Sequence, residues 1–177
     1  DNYTDYVTNI GTANGFTLDL NGFRLTDGQM ILYEDRNLTI IDSSEKKTGS
    51  VGTLWAKDGH ATIQDGSYAE LIASKADSIK ITGEGTVKIR KISMTGYTDG
   101  SNKKVVANLL EPGYAVYLVD ENASPATYTL VDGYHNQNNT SGGYLQQYLP
   151  GGYKDSPAVL PAGQYYTVAA HEHDFAD

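Results

Sequence analysis

The residues best suited to bind a metal ion lie at the C-terminal end, where His171 and His173 alternate with Glu172 and Asp174. Alternate residues of a strand point the same way, so two imidazoles and a carboxylate could meet a zinc ion. No second pair of ligands lies nearby in the sequence, and a solvated tail or the start of a linker explains the same residues. We therefore expect no bound metal or other cofactor and keep His171 and His173 as weak candidates, with calcium at the turns left open.

Acidic residues at the predicted turns could in principle catalyse the cleavage of a polysaccharide. A glycosidase needs two carboxylates across a groove, and a polysaccharide lyase needs clustered carboxylates for calcium beside a basic side chain. The candidates Asp42, Asp65 and Glu84 follow strand-like segments and fall at turns, where acidic residues commonly bond the backbone. The sequence therefore predicts no catalytic residues, and a carbohydrate-active enzyme stays the alternative. Asn21, Asp42 and Asp65 are expected to bond backbone groups at successive corners.

Tyrosine gives the stronger lead to a binding function. The chain has 14 tyrosines, several of them beside Gly or Asn in a polar stretch over residues 133–157 that suits a long surface loop. A phenol ring offers a rigid apolar face with a hydrogen-bonding tip, which suits sugar recognition. The hypothesis is that a host or environmental glycan or glycoprotein binds Tyr134, Tyr144, Tyr148 and Tyr153. The alternative is that these rings cover the open end of the fold. Trp55 is equally placed to anchor a ligand or to pack.

Composition limits the remaining function classes. The 177 residues carry a formal charge of −9 and no cysteine, which excludes disulfides and thiolate zinc sites and argues against nucleic acid as a partner. No apolar run approaches the length of a membrane span, so we expect no direct membrane insertion. The N-terminus lacks the regions of a signal peptide. We expect a monomeric piece of a larger chain, whose partners include its neighbouring modules.

The elements that must position these residues are short strands. Segments such as FTLDLNG, NLTIIDSS and HATIQDG alternate apolar and polar residues between turns. Their apolar centres form two interleaved series with a period near twenty residues, which stacked coils produce. One series is Leu18, Leu38, Ala61 and Ile79, and the other is Ile31, Leu54 and Ile72.

The period predicts an all-β fold, a short parallel β-helix of about four coils. The side chains predicted to point inward are Leu18, Leu20, Leu38, Ile40, Ala61, Ile63, Ile79 and Ile81, while those predicted to point outward are Asp19, Thr39, Thr62 and Lys80. An antiparallel β-sandwich is the alternative, because Asn-Gly and Asp-Gly pairs are also hairpin signals.

The pattern changes near residue 94. We predict β-helix coils with an N-terminal cap over residues 1–93 and a C-terminal coil or appendage with the Tyr-rich loop over residues 94–177, packed on the same domain. Within this second part the sequence suggests a short helix at Val105 to Leu110, a strand at Tyr114 to Val119 and a last strand over residues 163–170.

Several motifs together resemble a known family. YTDYVTNIG, FTLDLNGFRL, LTIIDSS, NLLEPGYAVYLVD and the final HEHDF occur in that order. The chain resembles the β-helix-containing segments of large, wall-attached surface proteins of Gram-positive bacteria, over roughly residues 3–119 and the tail. LDLNG alone is common to many β-helix proteins. The resemblance implies a right-handed β-helix, an extracellular location at the cell wall, and adhesion or ligand binding. It implies no catalytic residues, and a structural spacer module is a further alternative.

Overall fold

The computed structural model describes residues 7–8, 12–74, 78–82, 85–94, 107–110, 114–135, 143–145 and 159–170. Every regular element within these ranges is a β-strand. In chain order the strands are β1 (Val7–Thr8), β2 (Phe16–Asp19), β3 (Arg24–Leu32), β4 (Asn37–Ile41), β5 (Ser50–Ala56), β6 (His60–Ile63), β7 (Gly66–Ala73), β8 (Ile79–Ile81), β9 (Val87–Ile89), β10 (Ile92–Met94), β11 (Ala107–Leu110), β12 (Tyr114–Asp120), β13 (Thr127–His135), β14 (Gly143–Leu145) and β15 (Gln164–Ala170).

The strands stack into a parallel β-helix. β2, β4, β6, β8 and β11 pair in parallel in one sheet, and β1, β3, β5, β7 and β9 pair in parallel in the other. The chain visits the two sheets alternately, so it completes three turns between β2 and β8, and β9 and β10 begin the next coil. The parallel β-helix predicted from the period is confirmed, and the antiparallel sandwich is wrong.

The core lies between the sheets. Of the eight predicted inward residues, seven are buried and Leu18, on the first strand, is half-buried. Leu38, Ala61 and Ile79 pair in register, as the twenty-residue period requires. The first member predicted for this series was wrong by two residues, because Leu18 pairs with Ile40 and it is Phe16 that pairs with Leu38. Each buried aliphatic side chain stabilises the fold by about 1.5–3 kcal/mol before chain entropy is counted. The outward positions Thr62 and Lys80 alternate with this column and meet solvent.

The second predicted series was wrong by one residue. Ile31 pairs with Trp55, which in turn pairs with Ile72, whereas Leu54 belongs to the neighbouring column of Met30 and Leu71, which lines the core. Successive side chains of a strand point to opposite faces, and a period near twenty residues does not distinguish two adjacent columns. The hydrogen-bonded register decides between them.

In the second sheet, the alternation of inward and outward side chains is interrupted once along β5 and once along β7. Val51 and Leu54 are both buried although three residues apart, and Tyr68 with Leu71 repeats this on the next coil. Inward residues three apart require a bulge or bend in the strand. Gly52 lies at this break, where a Cβ atom would come within 2.6 Å of the Thr26 carbonyl oxygen. The small residue lets neighbouring coils approach.

The C-terminal strands cover the last coil in the antiparallel sense. β12 pairs with both β13 and β15, and β15 pairs with β9 through Tyr166 and Ile89. β14 pairs with β11 in the other sheet. An added strand satisfies the backbone groups that a final coil would leave open for association. The described strands of residues 1–93 and those of residues 94–177 therefore belong to the same two sheets.

The sequence gives three predictions for this C-terminal region. The strands predicted at Tyr114 to Val119 and over residues 163–170 are confirmed by β12 and β15. The helix predicted at Val105 to Leu110 is wrong, because Ala107–Leu110 is a strand held between β8 and β14. The loop predicted over residues 133–157 is wrong at its start and at β14, because backbone pairing outweighs local polarity.

Candidate binding cleft

The corner after β4 is built around the buried carboxylate of Asp42. One oxygen accepts hydrogen bonds from the backbone nitrogens of Gly22 at 2.8 Å and Ser44 at 3.1 Å. The other oxygen accepts from the Gly49 nitrogen at 2.6 Å. Burial raises the pKa of Asp42, but the hydrogen bonds from Ser44, Gly49 and Gly22 lower it by more, so the pKa lies below its ordinary value. Asp42 is a structural anion.

The adjoining corners use the same device. Asp65 accepts a hydrogen bond from the Thr86 nitrogen at 2.8 Å, and it forms an ion pair with Lys47 Nζ at 3.1 Å. The structural role predicted for Asp42 and Asp65 is confirmed. For Asn21 it is wrong, because Asp19 fills that role and accepts from the backbone nitrogens of Asn21 and Ser43, both at 2.9 Å. Asn21 instead supplies a turn residue with φ of 44°.

A cleft of about 340 Å³ opens on the outer face of the second sheet. Its floor is made by outward residues of adjacent coils, among them Ser50 and Ser67, which are paired in register. Lys88 follows in the same row on β9. The turns after β12 and before β15 form the opposite wall. Small side chains on the floor and longer ones at the wall produce a concave surface.

Three charged or polar side chains meet at the wall of the cleft. Lys88 Nζ lies 2.9 Å from Glu121 Oε1, and the Tyr165 hydroxyl donates to the same oxygen at 2.9 Å. Lys88 Nζ also lies 4.5 Å from the centre of the Tyr165 ring. These contacts join residues 33 and 44 positions apart, so no local motif could predict them.

The protonation of this group follows from its contacts. Burial lowers the pKa of Lys88, but its hydrogen bond to Glu121 and its contact with Tyr165 raise the pKa by more, to above its ordinary value. The hydrogen bonds from Lys88 and Tyr165 lower the pKa of Glu121. Burial and the bond to Glu121 raise the pKa of Tyr165. At neutral pH the cleft therefore holds an ammonium, a carboxylate and a neutral phenol.

Arg90 borders the same cleft, two residues beyond Lys88 on the outer face. Its Nε donates to the Leu160 carbonyl oxygen at 3.1 Å, and its Nη2 donates to the same oxygen. The Leu160 nitrogen returns a hydrogen bond to the Arg90 carbonyl oxygen at 3.0 Å. Arg90 thus ties the segment before β15 to the β-helix and fixes one side of the cleft.

Trp55 lies elsewhere on this sheet. Its indole nitrogen donates to the Ser74 hydroxyl at 2.8 Å, and Lys57 Nζ lies 5.4 Å from its ring centre and 5.1 Å from that of Tyr33. The ring is half-buried. Of the two roles weighed for Trp55, packing is the one that these contacts describe.

The predicted binding tyrosines are only partly placed. The backbone of Tyr134 belongs to β13, and that of Tyr144 belongs to β14, where it pairs with Asn108 of β11. Tyr148, Tyr153, His171 and His173 lie outside the described residues. The glycan-binding role of the four tyrosines stays a prediction. Within the part of the chain that is described, no cluster of three or more His, Cys, Asp or Glu could hold a metal ion.

No family model, curated protein or solved structure matches this chain. No helix long and apolar enough to cross a membrane occurs among the described residues. The geometry of the cleft is therefore the basis for a functional proposal.

Proposed function

We propose that this chain is a noncatalytic domain of a bacterial cell-surface protein that binds a glycan or glycoprotein of a host or its environment in the cleft. The observation that supports this is the cleft of about 340 Å³ lined by Ser50, Ser67, Lys88, Glu121 and Tyr165. Ligand sites are concave surfaces with a few placed polar groups. Hydroxyl, ammonium, carboxylate and phenol groups match the donors and acceptors of a sugar.

The protonation states of the cleft favour binding over catalysis. A general base must lose its proton near neutral pH, and a general acid must keep one. The pKa values of Lys88 and Tyr165 are raised, so both keep their protons, and the pKa of Glu121 is lowered, so it is an anion. Lys88 and Tyr165 therefore lack the deprotonated state that a lyase base needs, and Glu121 lacks the protonated state that a glycosidase acid needs. This supports binding against the enzyme alternative.

The extracellular location rests on the sequence motifs rather than on the cleft. The motifs named above resemble wall-attached surface proteins, and a domain without cysteine would be held there by packing and hydrogen bonds alone. A structural spacer between modules would show no ligand binding. The proposal therefore depends on a direct binding measurement.

The test fills the cleft and compares it with a matched surface. Ser67→Phe places a ring on the cleft floor, and Thr62→Phe places the same ring on the outer face of the other sheet. Both proteins and the wild type are screened on a glycan array and on mucins, with calcium and with a chelator. We expect binding to fall by about tenfold or more in Ser67→Phe and to be unchanged in Thr62→Phe.

A different pattern would redirect the proposal. Equal binding by both phenylalanine variants, together with loss in Tyr144→Ala/Tyr148→Ala at an unchanged melting temperature, would move the site to the predicted tyrosine surface. Absence of binding by the wild type, with and without calcium, would favour the spacer.

A further inference from the structure

We propose that the ligand of the cleft is an acidic glycan, which lies across the strands with its negative groups at Arg24 and at Lys88 with Arg90. This deepens the proposed function and rests on it.

The row is set by the strand register. Arg24 of β3 pairs with Ser50 of β5, Ser50 pairs with Ser67 of β7, and Ser67 pairs with Lys88 of β9. Adjacent strands are about 4.8 Å apart, so about 14 Å of backbone separates the first residue from the last. The row is therefore a track with a cation at each end and two hydroxyls between them. An extended oligosaccharide can span that distance.

Both cations at the cleft end keep hydrogen-bond donors for a ligand. An ammonium has three N–H donors, and Lys88 uses one of them on Glu121. A guanidinium has five, and Arg90 directs two of its nitrogens at the Leu160 oxygen. Both side chains stand on the outer face of the same strand region. A carboxylate or sulfate between them would meet unused donors from both.

Arg24 is the cation at the other end of the row. Its side chain is exposed, and it forms no ion pair with any residue that the structure describes. Because Arg24 lies in register with the cleft residues, it can bind a second acidic group of the same ligand.

The negative charges in and around the cleft limit which acidic ligands can bind. Glu121 is the carboxylate that lines the cleft, and its oxygen is already paired with Lys88 and Tyr165. Lys88, Arg90 and Glu121 leave one positive charge at this end, and Arg24 adds another. The rest of the acidic surface repels a dense polyanion such as nucleic acid. A sugar chain with spaced acidic groups suits this arrangement better.

The experiment uses glycans in matched acidic and neutral forms. A panel of uronate-containing and sulfated oligosaccharides is printed beside its carboxyl-reduced or desulfated counterparts, with a single-stranded oligothymidylate as a further probe. We expect the wild type to bind acidic forms at least about tenfold more tightly than their neutral counterparts. We expect this preference to shrink as salt is raised, since salt screens exposed charges.

Two charge variants locate the effect. Arg24→Gln removes the cation at the far end of the row, and Lys46→Gln removes an exposed cation from the turn after β4. Neither forms an ion pair with the residues that the structure describes, so both variants are expected to fold. We expect Arg24→Gln to weaken the acidic ligand about three- to tenfold and Lys46→Gln to change its affinity less than about twofold.

The contrary results distinguish a failure of this inference from a failure of the function on which it rests. Equal binding of acidic and neutral forms that is still lost in Ser67→Phe would overturn the acidic ligand and retain the glycan site. Equal losses in Arg24→Gln and Lys46→Gln would overturn the track. Tighter binding of oligothymidylate than of any glycan would mean that the ligand is a nucleic acid and would overturn the acidic glycan. A panel without any binder would overturn both proposals.

Discussion

Two carboxylates show how differently one chemical group is used in this protein. Asp42 is buried and accepts hydrogen bonds from three backbone nitrogens. Glu121 is about half exposed, at 48% of its side-chain surface, and its partners are the side chains of Lys88 and Tyr165. Backbone donors fixed by the fold make Asp42 a part of the scaffold. Side-chain donors at a concave surface make Glu121 available to a ligand. Burial and partner type, rather than residue type, decide the role.

The largest difference is expected on removing each carboxylate. Asp42→Ala leaves buried backbone N–H groups without an acceptor, and we expect the free energy of unfolding to fall by about 4 kcal/mol. Glu121→Ala removes an exposed ion pair, and we expect a loss below about 1 kcal/mol. Urea denaturation of both variants measures the difference. Equal losses would mean that the two regions do not differ in the way described.

Two glycines give a smaller contrast between the same regions. In Gly49→Ala the added Cβ would lie 2.5 Å from Leu20 Cβ and 2.7 Å from Asp42 Oδ2, so buried groups must move. We expect a loss of about 2 kcal/mol. Gly163, in the turn at the cleft, has φ of 82°, and its Cβ would meet the side chain of Asn122. We expect Gly163→Ala to lose about 1 kcal/mol. Thermal melting of both variants shows which loses more stability, and a larger loss in Gly163→Ala would contradict the comparison.

Acid sensitivity is the smallest expected effect. The pKa of Asp42 is lowered in the folded protein, so its contribution to stability is present above the unfolded pKa of about 3.9 and is lost as pH falls through the folded pKa. We expect the urea midpoint to fall between about pH 5 and about pH 3, and to fall less in Asp42→Asn. Glu121→Gln serves as the control and should keep the acid dependence of the wild type, because its exposed pair is screened by solvent.

The fold was largely predictable because its coils repeat. Leu38, Ala61 and Ile79 could be aligned from sequence spacing, since each coil places an equivalent residue one strand above the last. The prediction failed by two residues at Leu18, which pairs with Ile40, and by one residue at Leu54, which lies in the column next to that of Ile31. It also failed at Ala107–Leu110, where pairing with β8 and β14 overrides a local helical pattern.

The candidate cleft could not be predicted from sequence, because its parts are brought together by pairing at long range. Lys88 meets Glu121 from 33 residues away, and Arg90 meets Leu160 from 70 residues away. The tyrosine-rich stretch is recognisable in the sequence because composition is a local property. Tyr165, which lines the cleft, lies outside the polar stretch over residues 133–157.

The sequence by itself determined the all-β class, the coil period, the inward column of aliphatic residues and the structural role of Asp42 and Asp65. These depend on local alternation and on spacing, which the chain carries in order. The tertiary structure alone decided the strand register, the antiparallel strands over the last coil and the meeting of Arg24, Ser50, Ser67 and Lys88 in one row. Register and edge pairing depend on which backbone groups find partners, and those partners can lie far apart in the chain, as Ile89 and Tyr166 do.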